Sequence, residues 1–193
     1  MQNDFVSDDG FFGKMGGGAG RIQAIVPAVQ TLVEHAVGSG VLVVWLRFTS
    51  LPAGASDSAA YPLRRMLRQS SGLGPSDVVF CRQSTWGWEI SEKFAPDNES
   101  IIVDKLRASG FLGTPLELIL RANSIESVVV CGGQTDGCVL FTAFDSLQLG
   151  FFTVVVEDAV ADFSQEKHDS GLSVLRRRVD LARADEIYGT WSA

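Results

Sequence analysis

Cys138 and Lys105 are the two residues whose types and positions could do chemistry together. Cys138 stands in the glycine-rich stretch CGGQTDGCV at 131–139, directly after an apolar run, and Lys105 ends a second apolar run, ESIIVDK at 99–105. If both runs are neighbouring parallel strands, the thiol and the ammonium group meet at the carboxyl edge of one sheet, where open α/β sheets bind their ligands. A thiolate is a nucleophile, and a nearby lysine stabilises its charge.

The glycines around Cys138 support this interpretation. The pattern predicts a helix that begins at Cys138, so the sulfur would lie near the positive end of the helix dipole. Gly132, Gly133 and Gly137 would let backbone N–H groups turn towards one point, as an oxyanion hole requires when a thiolate attacks a carbonyl carbon. The sequence therefore predicts a nucleophile with its activator.

A purely structural interpretation is available for each of these residues. A cysteine near a strand end is usually a small buried apolar residue, and we interpret Cys81 and Cys131 in this way. Lysines also commonly end strands for solubility, which would leave Lys105 without a chemical role. Only its position at the strand–helix junction distinguishes Cys138.

Apolar runs of strand length alternate along the chain with segments in which apolar residues have helical spacing. Four apolar runs predict strands buried in a parallel sheet, at 41–48, 99–105, 126–133 and 151–159. The spacing of apolar residues predicts helices over 21–36, behind Thr114, from Cys138 to Gly150, and after Ser164. In the second of these Thr114 is the expected cap, Pro115 takes the first helical position and Glu117 completes a capping box. Strands alternating with helices predict an α/β fold, a three-layer sandwich of helices around a mostly parallel sheet, in one domain over residues 1–193.

Composition excludes several classes of partner. The chain has 193 residues, 46% of them hydrophobic, and a formal net charge of −7, which would repel nucleic acid. The basic run 176–178 is interpreted as the solvated face of a helix. No apolar stretch reaches the roughly 20 residues of a membrane span, and the N-terminus lacks a signal-peptide pattern, so we predict no membrane partner and a cytoplasmic location. Three cysteines favour a reduced compartment over a disulfide framework.

Two glycine- and serine-rich stretches, 8–20 and 49–62, are predicted to be loops long enough to lie over a site.

Four motifs in this order resemble the isochorismatase-like cysteine hydrolases over nearly the whole chain: MQNDF at 1–5, DKLRASGF at 104–111 with GTPLELILR behind it, GGQTDGCV at 132–139, and VVVEDAVADFSQEKH at 154–168. The resemblance implies a parallel sheet between helices and a catalytic cysteine, lysine and aspartate. The cysteine matches Cys138 and the lysine matches Lys105. It also implies a cis peptide bond at Gly133–Gln134.

The aspartate of that set has no match in this sequence. In the family it directly precedes the residues that match MQNDF, at the end of an apolar first strand in the middle of the sheet, whereas this chain begins at Met1. Asp4 matches a different position, for which a hydrogen-bonding role in the turn is expected. Two hypotheses follow: the natural protein is longer, or the chain is a non-catalytic relative. Without the strand, two neighbouring strands would lose their ladder partners.

Differences from the family pattern argue against some of the reactions that family members catalyse. Nicotinamidase-type members bind a metal through an Asp-x-His pair after the second strand, where this chain has WLRFTS at 45–50. The only histidines, His35 and His168, are predicted in separate helices, and we interpret His168 as packing or capping. We therefore predict no metal and no cofactor. Isochorismate hydrolysis belongs to a branch without the cysteine, so Cys138 argues against it.

The remaining resemblance is to amidohydrolases of ureidoacrylate and N-carbamoyl compounds. It implies that Cys138 attacks an amide or ureido carbonyl while backbone N–H groups near Gln134 hold the oxyanion. For substrate contacts the candidates are Trp86, with Trp88 beside it, Gln134, Arg107 and Arg47; the structural alternative places the tryptophans in the core and pairs Arg107 with an acid such as Asp104. Relatives are often dimers or tetramers, and the apolar surface of 115–122 permits a homo-oligomer.

Three functions stay open from the sequence. The first is a metal-independent cysteine hydrolase that cleaves a C–N bond of a small linear amide or ureido substrate. The second is a pseudo-enzyme or small-molecule-binding module that keeps the pocket without the chemistry. The third is a thiol redox protein that uses Cys131 and Cys138, which ranks last because their spacing is not Cys-x-x-Cys.

Overall fold

The strands form two parallel sheets. The computed structural model describes residues 1–15, 19–56, 80–94, 96 and 99–191. β1 (Val44–Phe48) pairs with β2 (Ile101–Lys105), and the second sheet has the order β3 (Ser127–Gly133), β4 (Phe152–Ala161), β5 (Asp180–Ala182). The four predicted strands and their parallel pairing are confirmed. The three residues of β5 are too few to show a periodic pattern, so the sequence does not predict this strand.

The helices begin and end as follows: α1 Asn3–Val6, α2 Phe11–Lys14, α3 Ala19–Ala24, α4 Val26–Gly38, α5 Leu116–Ala122, α6 Leu140–Gln148, α7 Gln165–Leu175 and α8 Ala184–Trp191. Among the residues described, no helix is both long and apolar enough to cross a membrane.

Successive residues of β4 point to opposite faces of the sheet and show the three layers. Val156 belongs to a core cluster with α4 and α8, including Val29 and Ile187. Val155 belongs to a different cluster with α6 and α7, including Ala143 and Leu175. Because side chains alternate along a strand, one strand with two apolar faces requires a helical layer on each side. The predicted α/β sandwich is confirmed.

A cavity of about 310 Å³ separates the two sheets. Its walls include residues 41–46, leading into β1, and residues 127–133 of β3, and it reaches Lys105 and Cys138. Within the described part of the chain, β1 forms a ladder only with β2, and β3 only with β4. The edges of β1 and β3 that face the cavity therefore have no ladder partner among the described residues.

The side chain of Gln2 forms hydrogen bonds with the backbone of β1 at the edge that faces the cavity. Its amide nitrogen donates to the Phe48 carbonyl oxygen at 2.8 Å, and its amide oxygen accepts from the Phe48 N–H at 2.8 Å. Gln2 is buried, so this pair of bonds satisfies backbone groups that would otherwise lack partners. The second residue of MQNDF thus acts as a substitute for one ladder position.

Several sequence expectations about the N-terminal half need correction. The helix expected over 21–36 is two helices, α3 and α4, because Ile25 interrupts the series and Pro27, which has no N–H group, lies in the first turn of α4. The stretch 8–20, expected as a loop, contains α2 and the start of α3. The expected loop 49–62 has a short 3₁₀ turn at Pro52–Gly54, and its part after residue 56 lies outside the described residues.

The capping box expected at Thr114 also differs. α5 begins at Leu116, and the Thr114 hydroxyl accepts from the Leu116 N–H at 3.2 Å. Glu117 pairs with Arg121 at 2.9 Å instead of returning to the cap. Leu118 on the same helix is 72% exposed, which is the apolar surface on which the homo-oligomer prediction rests.

Candidate active site

Lys105 and Cys138 meet at the carboxyl edge of the sheets. The Lys105 ammonium nitrogen lies 3.0 Å from the Cys138 sulfur and donates to it. The same nitrogen donates to the carbonyl oxygens of Arg107 at 3.1 Å and Ala108 at 2.8 Å. All three ammonium protons therefore have acceptors, which fixes the charge beside the thiol. The expected pairing of these two side chains is found in the structure.

The burial of Lys105 argues against a role in solubility. The residue is 3% exposed, and its nitrogen also lies 5.2 Å from the centre of the Phe48 ring, the residue that it faces across the β1–β2 ladder. Lysine is almost never fully buried without a partner, because desolvation of the ammonium group is costly. A buried lysine directed at a thiol is typical of a chemical site.

Cys138 lies in a tight turn and does not begin the helix. The π-helical turn Thr135–Val139 precedes α6, and Gly137 has non-helical angles, φ −119° and ψ −106°. Gly132 has a positive φ of 110°, and the Gly133–Gln134 peptide bond is cis. The prediction of a helix from Cys138 to Gly150 is corrected to a π turn followed by α6, Leu140–Gln148. π turns inside helices are frequent at functional sites.

Two amide groups of this turn are already engaged. The N–H groups of Gly137 and Val139 donate to the Gln134 carbonyl oxygen at 3.3 and 3.0 Å. The Gly137 N–H would have to leave that acceptor to bind an oxyanion. The predicted oxyanion role of Gly133, Gln134 and Gly137 therefore stays a prediction.

Asp4 has the structural role expected of it. Its carboxylate accepts from the Phe11 N–H at 3.0 Å and from the Cys81 N–H at 2.6 Å. A Cβ atom on Gly87 would lie 2.3 Å from the Asp4 carboxylate, so the turn containing Trp86 packs directly against it. The carboxylate joins three segments and does not bond to Cys138.

The substrate-contact candidates occupy different environments. Arg47 forms two bonds to the Asp104 carboxylate, at 2.6 and 3.1 Å, and stacks 3.4 Å from the centre of the Trp88 ring. Asp104 is thus the partner of Arg47 and not of Arg107, against the structural alternative considered from the sequence. Arg107 donates to the Ser56 carbonyl oxygen at 3.0 Å.

Trp86 and Gln134 remain accessible to a ligand. Trp86 is 52% exposed, whereas Gln134 is half-buried in the turn that carries Cys138. Their substrate contacts remain predictions.

The other two cysteines are held as thiols. Burial raises the pKa of the Cys131 thiol to about 11. The accessible part of Cys131 faces the cavity between the sheets. Burial, followed by the charge of Asp4, raises the pKa of Cys81 well above its ordinary value. No disulfide links the three cysteines.

These differences predict selective alkylation of Cys138. With iodoacetamide at pH 7.5 we expect Cys138 to react at least about 100-fold faster than Cys81 or Cys131, because only ionised thiols react. Mass spectrometry of the three cysteine peptides over time measures the ratio. Labelling of Cys131 at the rate of Cys138 in the folded protein would contradict the assignment.

Two contacts around the turn were not singled out as site residues from the sequence. The His168 Nδ1 atom lies 2.9 Å from the Thr135 hydroxyl, and the Asp136 N–H donates to the buried Asp162 carboxylate at 3.1 Å. Both His168 and Asp162 lie within the motif at 154–168. For His168 we expected packing or capping, and in the structure its ring nitrogen contacts the Thr135 hydroxyl. Asp162 gave no signal of its own, since an aspartate after a strand is ordinarily exposed.

No described residues form a group of three or more histidine, cysteine, aspartate or glutamate side chains suited to a metal ion. His35 stacks on Tyr188 with ring centres 4.2 Å apart, and His168 contacts Thr135, so the two histidines contact different partners.

The fold is that of α/β proteins with parallel sheets between helices, and a cysteine and a lysine are in contact at the carboxyl edge. The model of the isochorismatase domain matches residues 1–186, and the chain belongs to this family. Ureidoacrylate amidohydrolase RutB from Enterobacter sp. (strain 638) is 27% identical over 163 residues, covering 82% of this chain and 71% of that protein.

Two solved structures extend the comparison. Nicotinamidase/pyrazinamidase PncA from Bacillus subtilis is 28% identical with a TM-score of 0.72 and covers 94% of both chains. N-carbamoylsarcosine amidase from Thermoplasma acidophilum is 26% identical with a TM-score of 0.69, covering 94% of this chain and 93% of that one. All three relatives are amidases, which supports the hydrolase interpretation at the level of the family.

Proposed function

We propose that the protein is a metal-independent amidohydrolase that cleaves a C–N bond of a small linear amide or ureido substrate through Cys138. The observation that carries the proposal is the 3.0 Å contact between the buried Lys105 ammonium and the Cys138 sulfur. A fixed cation at this distance favours the thiolate, which is the nucleophilic form of the side chain.

The reaction has two covalent steps. The Cys138 thiolate attacks the carbonyl carbon, and the tetrahedral intermediate forms with its negative oxygen at the turn 133–138. The C–N bond then breaks, the nitrogen leaves as ammonia or an amine after it gains a proton, and an acyl thioester remains on Cys138. Water attacks the thioester, releases the acid and returns the thiol.

The proton carrier for these steps is not supplied by a described residue in contact with the pair. No described carboxylate bonds to Cys138 or Lys105; the ammonium contacts the sulfur and two carbonyl oxygens. We propose that water entering the site with the substrate takes the thiol proton and supplies the proton for the leaving nitrogen. Support comes from the cavity, which opens onto Lys105 and Cys138.

The substrate class follows from the relatives and the charges near the site. RutB and N-carbamoylsarcosine amidase both have names that describe ureido or carbamoyl substrates carrying a carboxylate. Arg47 and Arg107 remain the two arginine candidates for a carboxylate clamp, and the Arg47 guanidinium is already bound to the Asp104 carboxylate.

The test is ammonia release by the 193-residue chain from ureidoacrylate, N-carbamoylsarcosine and nicotinamide, with and without EDTA. We expect hydrolysis of at least one ureido substrate and no effect of EDTA. Activity on nicotinamide alone that EDTA removes would replace this proposal with a metal-dependent nicotinamidase.

The second candidate is a binding module. The observation that favours it is the lack of a described carboxylate in contact with Cys138 or Lys105. In that case the same substrates would bind, as measured by calorimetry, without any release of ammonia.

A further inference from the structure

The loop 106–112, which follows β2, holds the ammonium group of Lys105. The carbonyl oxygens of Arg107 and Ala108 in this loop accept from the lysine nitrogen at 3.1 and 2.8 Å. The third acceptor is the Cys138 sulfur at 3.0 Å. Because lysine carries its charge on a flexible four-carbon stem, the acceptors decide where that charge lies. The distance between the ammonium and the thiol therefore depends on the position of the loop.

Ser109, the next residue of this loop, anchors it to α6. The residue is buried, and its hydroxyl donates to the Asp145 carboxylate at 2.5 Å. The same hydroxyl accepts from the Phe111 N–H at 3.0 Å, so its proton and one of its lone pairs are both engaged. A hydrogen bond to a carboxylate is stronger than one between neutral groups. Asp145 thus fixes the loop next to the two carbonyl oxygens that hold the lysine.

A second bond joins the same loop to the same helix. The Gly110 N–H donates to the hydroxyl of Thr142, which is buried, at 2.9 Å. Thr142 and Asp145 are three residues apart and therefore lie on one face of α6. A Cβ atom on Gly110 would lie 2.5 Å from the Leu46 side chain and 3.2 Å from that of Thr142, so the loop lies tightly between β1 and the helix.

α6 also continues directly from the turn that carries Cys138. The turn Thr135–Val139 is followed by Leu140, the first residue of the helix. The start of α6 thus positions the thiol, and Asp145 in its middle positions the loop that holds the ammonium. Both partners of the 3.0 Å contact are held by one helix.

We propose that Asp145 is a positioning residue that acts through the Ser109 hydroxyl: it holds the loop whose carbonyl oxygens direct the Lys105 ammonium at the thiol. The consequence for ammonia release rests on the proposed function; the consequence for the reactivity of Cys138 does not. Without the bond the loop moves, the ammonium follows its carbonyl acceptors, and the cation no longer stabilises the thiolate.

The negative charge of Asp145 would have the opposite effect if it acted alone. A carboxylate near a thiol disfavours the thiolate, so removal of the charge without movement of the loop would speed alkylation of Cys138. Removal of the anchor should slow it. The sign of the change therefore separates the positioning role from a simple electrostatic one.

The test is iodoacetamide alkylation of Cys138 in Asp145→Ala at pH 7.0 and 9.5. We expect the variant to react about threefold or more slowly than the wild type at pH 7.0. At pH 9.5 the two rates should agree within about twofold, because an ordinary thiol is ionised there without help from a cation. Ser109→Ala removes the donor of the same bond and should behave alike. Gln148→Ala, an exposed position on α6, is the matched control and should equal the wild type at both pH values.

The conservative variant Asp145→Asn separates the hydrogen bond from the charge. It keeps an oxygen that can accept from the Ser109 hydroxyl, so its rate at pH 7.0 should lie closer to the wild type than to Asp145→Ala. Ammonia release by Asp145→Ala should fall about threefold or more on the best substrate. Thermal unfolding establishes the fold of each variant, and Ser109→Ala carries the test if Asp145→Ala does not fold.

Three results would each overturn the positioning role. They are a ratio of variant to wild-type rates that is the same at both pH values, faster alkylation of Asp145→Ala at pH 7.0, and equal rates in Asp145→Asn and Asp145→Ala. Failure of the wild type to release ammonia would leave these alkylation rates unaffected and would count against the proposed function alone.

Discussion

Cys138→Ala should abolish ammonia release, with a loss of about 10⁴-fold or more, because the covalent route has no other nucleophile. The sulfur is the only acceptor of Lys105 that could form an acyl bond, since the other two are carbonyl oxygens. Cys138→Ser should lose nearly as much, because a hydroxyl is far less acidic than a thiol. The measurement is initial-rate ammonia release on the best substrate of the panel.

The matched control is Cys131→Ala. Cys131 lines the same cavity, and burial raises its pKa to about 11, so it is not expected to act as a nucleophile. Its removal should change the rate by no more than severalfold. Thermal unfolding must show that Cys138→Ala keeps its fold, as expected for a half-buried side chain whose loss leaves Lys105 with two acceptors. Full activity in folded Cys138→Ala would exclude covalent catalysis by this residue.

The contact between Cys138 and Lys105 could be predicted because each residue lies at or just after the end of a strand. Short apolar runs mark β2 and β3, and parallel strands bring their carboxyl ends to one edge. The geometry between them could not be predicted. The turn at Thr135–Val139 depends on how α7 packs against it through Gly171, which lies 34 residues after Gly137 in the chain.

The contacts of the arginine candidates could not be predicted from the sequence. Arg47 and Asp104 face each other only because Arg47 pairs with Asp104 in the register of β1 and β2. Register is set by contacts between distant segments, so neither the ion pair nor the stacking of Arg47 on Trp88 has a local signal. The same is true of Asp162, whose complete burial depends on the end of β4 lying under the turn.

The cavity between the two sheets also has no local signal in the sequence. It is bounded by residues of β1 and β3, whose ladders in the described part of the chain run only to β2 and β4. The side chain of Gln2 pairs with the backbone of Phe48 across 46 positions of the chain, a contact that no periodic pattern predicts.

Lys105→Met should reduce ammonia release by about 10²-fold or more and slow alkylation of Cys138 at neutral pH by about tenfold. The substitution keeps the length of the side chain but removes the only described cation that bonds to the sulfur. Lys105→Arg is the matched variant, because it keeps the charge while changing the geometry of the donors. The alkylation rate of Cys138 should be higher in Lys105→Arg than in Lys105→Met. The rate of ammonia release should still fall below that of the wild type.

The fold of both Lys105 variants has to be established first. Methionine leaves the carbonyl oxygens of Arg107 and Ala108 without the donor that they have at 3.1 and 2.8 Å, so some loss of stability is expected in Lys105→Met. The alkylation rates are therefore compared at a temperature well below both unfolding midpoints. If folded Lys105→Met alkylates at the wild-type rate, the thiolate does not depend on the lysine, and the 3.0 Å contact serves only to neutralise a buried cation. If the rate falls while Lys105→Arg retains it, charge at this position activates the thiol.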